Sequence, residues 1–154
     1  MNLAIEAMQF LSAAGLALFV GALLTEAMVL VPMWRSLRPQ EFFVLHAAHA
    51  HRLYKFFAPL TATATALAVV SAVTSVIADH PGSLTAVVAA ALTLVVLSTY
   101  FLYFQQANAS LAKASIKPED LPAELARWAA WHWFRTAIGL AALASTLLSL
   151  GGIA

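Results

Sequence analysis

Four stretches of this chain contain no Lys, Arg, Asp, Glu or His: 7–25, 56–78, 82–112 and 136–154. A helix needs about 20 apolar residues to cross the hydrocarbon core of a bilayer, and no other segment reaches that length. Closed β-barrels also span membranes, but through short segments of alternating polarity. Ala86-Val87-Val88-Ala89-Ala90-Ala91-Leu92 does not alternate. Thr61-Ala62-Thr63-Ala64-Thr65 does, but it lies inside an uncharged run. It therefore reads as helix, with small residues that admit a close neighbour and hydroxyls that bond back to the backbone. Composition points the same way. Charged residues make up 10% of the chain and hydrophobic ones 62%, against roughly 25% charge in soluble domains. A net charge of +1 leaves no basic footprint for nucleic acid. With no cysteine, disulfides, thiolate metal sites, iron–sulfur clusters and cysteine nucleophiles are excluded.

Turn residues divide the runs. Pro39 separates the first two helices, Asp79-His80-Pro81-Gly82-Ser83 forms a turn with Ser83 as N-cap, and Lys117-Pro118-Glu119-Asp120-Leu121-Pro122 precedes the fourth helix. The expectation is an all-α, up-down-up-down four-helix bundle, one transmembrane domain over 1–154, with helices at about 2–36, 40–78, 83–115 and 121–151. Residues 1–25 lack a basic n-region and an A-x-A site, so they are not read as a removed signal peptide. All eight basic residues (Arg35, Arg38, Arg52, Lys55, Lys113, Lys117, Arg127 and Arg135) fall at the end holding the 1–2 and 3–4 connections. The positive-inside rule makes that end cytoplasmic in a multi-pass inner-membrane protein, with both termini on the periplasmic side.

The uncharged runs stop at one depth: Thr25/Glu26, Lys55/Phe56, about Phe104/Gln105, and Arg135/Thr136. Beyond it lie Glu26, His46, His49, His51, Arg52, Lys55, Gln105, Gln106, Asn108, His132 and Arg135, with every Trp and Tyr. The other end holds little by comparison: Glu6, Gln9, Asp79 and His80. Aromatic belts and snorkelling cations account for part of this. Histidines and a glutamate near hydrocarbon instead favour the bundle interior. His46 and His49 are i, i+3 on the second helix; Trp128, His132 and Arg135 form a stripe on the fourth; Gln105 and Asn108 are i, i+3 on the third. Pro59 deprives the Lys55 carbonyl of its helical partner, and a kink there would open this layer.

Each group has more than one reading. Glu26 is either an ion-pair partner of Arg52 or Arg135, or a general base or metal ligand. His46 and His49 are solvated or capping residues, or a metal pair with His132 and Glu26 suited to iron, copper or zinc; a haem ligand is a weaker alternative. Arg135 snorkels or binds an enolate oxygen. Trp128, Trp131, Tyr100 and Tyr103 form a membrane belt or the wall of an aromatic ligand pocket, with Gln105 and Arg52 as further ligand-binding candidates.

Trp128-Ala-Ala-Trp131-His132-Trp133-Phe134-Arg135 resembles the W-x3-H-x2-R signature in the last helix of the anthrone-oxygenase-like family of small four-helix membrane proteins. Gly21 followed by Pro32-Met33-Trp34, Asn108-Ala-Ser-Leu111 as an N-x2-L element, and overall length extend the resemblance over essentially the whole chain. His46-Ala-Ala-His49-Ala-His51 has no counterpart in that pattern. The family name comes from polyketide pathways in which an anthrone is oxidised to an anthraquinone. The resemblance implies an oxidoreductase or oxygenase acting on a lipophilic aromatic molecule, with Glu26 or His132 as base and Arg135 with Asn108 holding an enolate oxygen. It would work with no cofactor or with a transition metal. The competing expectations are a non-catalytic binder of a small apolar ligand, quinone, haem or metal ion, and a structural subunit. In the last case, Ala13-Ala14-Gly15 with Ala17 and Gly21, and Ala62 with Ala66, would pack helices within the chain or in a homo-oligomer.

Overall fold

A computed structural model describes residues 3–151. Four helices are long and apolar enough to cross a membrane: α1 (Leu3–Ser36), α2 (Pro39–Ile77), α3 (Ser83–Ala112) and α4 (Leu121–Leu150). No strand occurs among the described residues. The expected positions 2 and 152–154 lie outside them.

Consecutive helices pack side by side, and α1 closes the ring on α4. Cross-helix pairs run in opposite directions. Between α1 and α4, Trp34 meets Trp128, Glu26 meets Arg135, and Val20 lies against Gly139. Between α1 and α2, Trp34 meets Phe42, Gly15 lies beside Ala64, and Gln9 bonds Ser75. Asn108 meets Trp128 at one end of α3 and α4, while Gly82 abuts Ser149 at the other.

The helix ends have local causes. Leu37 turns extended (ψ 151°) and stops α1, and Pro39 then occupies the first turn of α2, where its missing N–H costs nothing. Glu41 accepts the Arg38 backbone N–H at 3.1 Å and pairs with its guanidinium. Helices α2 and α3 both end in Schellman caps. His80 N–H bonds Ser75 O and Asp79 N–H bonds Val76 O, with Asp79 at φ 48°; Ser115 and Ala114 repeat this on Ser110 and Leu111, with Ala114 at φ 48°. The second cap ends α3 at Ala112 rather than near 115. Ser83 is not an N-cap: Gly82 holds that position and no side chain caps the turn. Pro59 lies inside α2 without ending it, on its exposed face.

Packing is small inside and large outside. Ala64, Ala68, Ala72, Ala86, Ala90 and Ala142 are buried with Leu16, Phe19 and Leu23, while Leu18, Ile77, Phe101 and Leu102 face outward. Lipid is as apolar as leucine, so close backbone approach rather than hydrophobic exclusion drives such helices together. Buried threonines satisfy their hydroxyls within the helix: Thr93 donates to Ala89 O at 2.6 Å, Thr136 to His132 O at 2.7 Å, and Thr146 to Ala142 O at 3.0 Å. Two helices are not α throughout. A π-turn spans Glu26–Leu30 in α1, where Val31 N–H bonds Glu26 O, and another spans Tyr100–Phe104 in α3, where Gln105 N–H bonds Tyr100 O.

Candidate functional site

Three of the four residues expected to act come together between α1 and α4. Glu26 opens the first π-turn and is 4% exposed. Its Oε2 accepts from Arg135 Nη2 at 2.9 Å and lies 3.6 Å from His132 Nδ1. His132 is fully buried. Its Nε2 lies 2.9 Å from Leu23 O and its Nδ1 3.0 Å from Arg135 Nε. A carbonyl can only accept and a guanidinium can only donate. His132 is therefore the neutral tautomer with the proton on Nε2, donating to Leu23 O and accepting from Arg135. One guanidinium thus bridges two acceptors that would otherwise face each other.

The rest of Arg135 is held by rings. Its guanidinium carbon is 4.0 Å from the centroid of Phe104, the last residue of the second π-turn, and 5.8 Å from that of Trp128. Cations over aromatic faces gain most where water is excluded, and the Arg135 side chain is only 13% exposed. Trp128 stacks on His132 at 5.0 Å and meets Trp34 edge-on at 5.6 Å. The π-turns thus supply both flanks of Arg135: the carboxylate from α1 and the ring from α3. They often mark functional sites because the extra residue redirects side chains. Oε1 of Glu26 has no hydrogen-bond partner among the described residues.

The other candidates lie apart from this knot. Asn108 accepts from Trp128 Nε1 at 2.8 Å and so tethers α3 to α4 through the tryptophan. Trp131 stacks on Tyr103 at 5.2 Å, and the Tyr103 hydroxyl donates to Glu124 Oε1 at 3.0 Å, while Glu124 also pairs with Arg127. Tyr100 meets Tyr54 and Phe101. Gln105 and Arg52 are exposed; Arg52 is not the partner of Glu26, a place taken by Arg135.

The helix-two histidines do not share an environment. His49 is exposed and donates from Nδ1 to Leu45 O at 2.9 Å. His46 is buried, stacked on Phe42 at 5.1 Å and edge-on to Trp34 at 5.5 Å, and neither of its nitrogens has a hydrogen-bond partner among the described residues. Among the described residues no three His, Asp or Glu side chains are gathered as a metal set, so His46, His49, His132 and Glu26 are not assembled as one.

A second polar knot, absent from the expectations, closes the opposite end. Gln9 Nε2 donates to Ser75 Oγ at 3.1 Å and lies 3.3 Å from His80 Nδ1, which also accepts the Gly82 N–H at 3.0 Å. Gln9, Ser75 and His80 are all buried, as are Ser12 and Ser71, whose hydroxyls have no partner among the described residues. The available signal was Gln9 with Ser12, and Ser71 with Ser75, each at helical spacing within an otherwise apolar run.

Four membrane-capable helices around a buried ionic knot define a multi-pass membrane protein. A family profile described as anthrone oxygenase matches residues 48–145, and the chain belongs to that family. The match takes in Asn108, Trp128, His132 and Arg135 but leaves out α1, and with it Glu26, Gly21, Pro32 and Trp34. No curated protein and no solved structure matches the chain.

Proposed function

We propose that this protein is a membrane oxygenase that oxidises a lipophilic, enolisable aromatic ketone at the Glu26–His132–Arg135 knot. The carrying observation is that Arg135 binds Glu26 and His132 at once while the second carboxylate oxygen of Glu26 stays unengaged among the described residues. Glu26 is then the base, taking a proton from an acidic C–H conjugated with the substrate carbonyl. His132 is the poorer candidate, because both ring nitrogens are already bonded. Arg135 retains N–H donors beyond the two in use and stabilises the enolate oxygen. The electron-rich enolate meets dioxygen; a CH₂ becomes C=O and the second oxygen atom leaves as water. Asn108 acts through Trp128, fixing the ring that backs His132. The basic end of the bundle lies toward the cytoplasm of the inner membrane and both termini lie outside.

Oxygen uptake by the purified chain with such a ketone tests the proposal. Glu26→Gln is expected to lower kcat by about 10²–10⁴-fold. Unchanged turnover in both Glu26→Gln and Arg135→Ala would remove the site from consideration. A stoichiometric iron or copper ion in active protein would overturn the cofactor-free form. The non-catalytic alternative, a binder of an apolar ligand or quinone, predicts bound ligand in the absorbance spectrum and no oxygen uptake.

A further inference from the structure

A groove of about 660 Å³ opens outward between α1 and α4, lined by none of the three knot residues. Its floor is Ala126, Ala129 and Ala130, its walls include Met28 and Trp133, and Arg35 stands at one end. The small floor residues on α4 create the space. Trp133 is 47% exposed and Met28 66%, so the walls are apolar side chains not covered by the bundle.

The groove has a direction. Seven residues along α1 separate Met28 from Arg35, a rise of about 10 Å. Met28 lies toward the middle of α1 and Arg35 one residue before its end at Ser36. The two helices are antiparallel, so Trp133 lies at the Met28 end and Ala126 at the Arg35 end. One cation thus caps an apolar trough near the end of α1.

Arg35 makes no ion pair or hydrogen bond among the described residues. Two other arginines at this end are compensated: Arg38 by Glu41 and Arg127 by Glu124. No acidic residue lines the groove, so nothing there would receive the ammonium of a zwitterionic headgroup. Basic positions between transmembrane helices on the cytoplasmic side are where anionic headgroups bind.

We infer that this groove is a binding site for an anionic phospholipid, with the phosphate on Arg35 and an acyl chain running along the alanine floor to Trp133. The site is separate from the Glu26 knot, and the inference stands whether or not the protein is an oxygenase.

Native mass spectrometry of the full chain, released from nanodiscs of mixed phosphatidylglycerol and phosphatidylcholine, tests it. The wild type should retain phosphatidylglycerol over phosphatidylcholine by about fivefold, the weight of one basic residue near a membrane surface. Arg35→Gln should reduce that preference to parity. Ala130→Leu, on an exposed helix face, should reduce retention of both lipids by filling the trough. Arg127→Gln should leave the preference intact. The assignment is overturned by no preference in the wild type, by an undiminished preference in Arg35→Gln, or by full displacement with inorganic phosphate. The last result would mean that a free anion suffices without the acyl chain.

Discussion

The bundle is tied at two levels by buried polar groups, one near the turn before α3 and one midway along α4, and the two ties use different chemistry. The Gln9 knot is neutral: an amide, a hydroxyl and an imidazole joining α1, α2 and the turn before α3. The Glu26 knot is ionic: a carboxylate and a guanidinium with a neutral imidazole between α1 and α4, flanked by two π-turns. Neutral hydrogen bonds suffice to fasten helices in lipid, each contributing roughly 1 kcal/mol. Burying opposite charges adds desolvation that packing residues would avoid. The Gln9–Ser75–His80 tie fastens its level without charge, and the buried ion pair at the other level is where the proposed chemistry would act.

The contrast makes graded predictions. Arg135→Leu should be the most damaging, costing about 3–5 kcal/mol because Glu26 is left buried and unpaired. Glu26→Leu combined with Arg135→Leu should recover most of that stability while abolishing turnover. A double mutant as unstable as Arg135→Leu alone would mean that the pair holds the fold, and would erase the distinction between the knots. Reversible unfolding in mixed detergent supplies both values. At the neutral knot, Gln9→Leu should cost about 1 kcal/mol by the same measurement, the worth of a typical internal hydrogen bond. It should leave oxygen uptake unchanged; a loss of turnover would couple the two levels. His49→Ala should change stability by less than about 0.5 kcal/mol, as an exposed residue outside both knots, and a larger loss would restore a role for it.

The spans were legible because charge is what the bilayer excludes, and uncharged runs show in any sequence. The same criterion made Glu26, His132 and Arg135 stand out at the run boundaries. It could not choose between Arg52 and Arg135 as partner, since that depends on which face of α2 turns inward; Arg52 is exposed. Nor could it separate His46 from His49. Three residues along a helix is a 60° offset from alignment, enough to bury one ring beside Trp34 and leave the other outside. That Gln9 and His80 are tied together through Ser75 was not legible for a related reason. Gln9, Ser12, Ser71 and Ser75 are uncharged, so they sit inside the runs that charge defines. Helix α1, which carries Glu26, is also the span that the family profile leaves out.

The π-turns place part of the site's specification in chain length rather than residue identity. Each is a span with one residue more than an unbroken α-helix would hold over the same turns. If α1 kept all its residues but closed into regular α geometry over 27–30, the extra residue would turn everything beyond it by about 100° around the axis. Trp34 would then swing away from Trp128 and His46, although no contacting side chain had been altered. The π-turn is thus as much a part of the site as Arg135 itself, and a relative with one residue fewer between Glu26 and Trp34 would present both in the same phase on a regular α-helix.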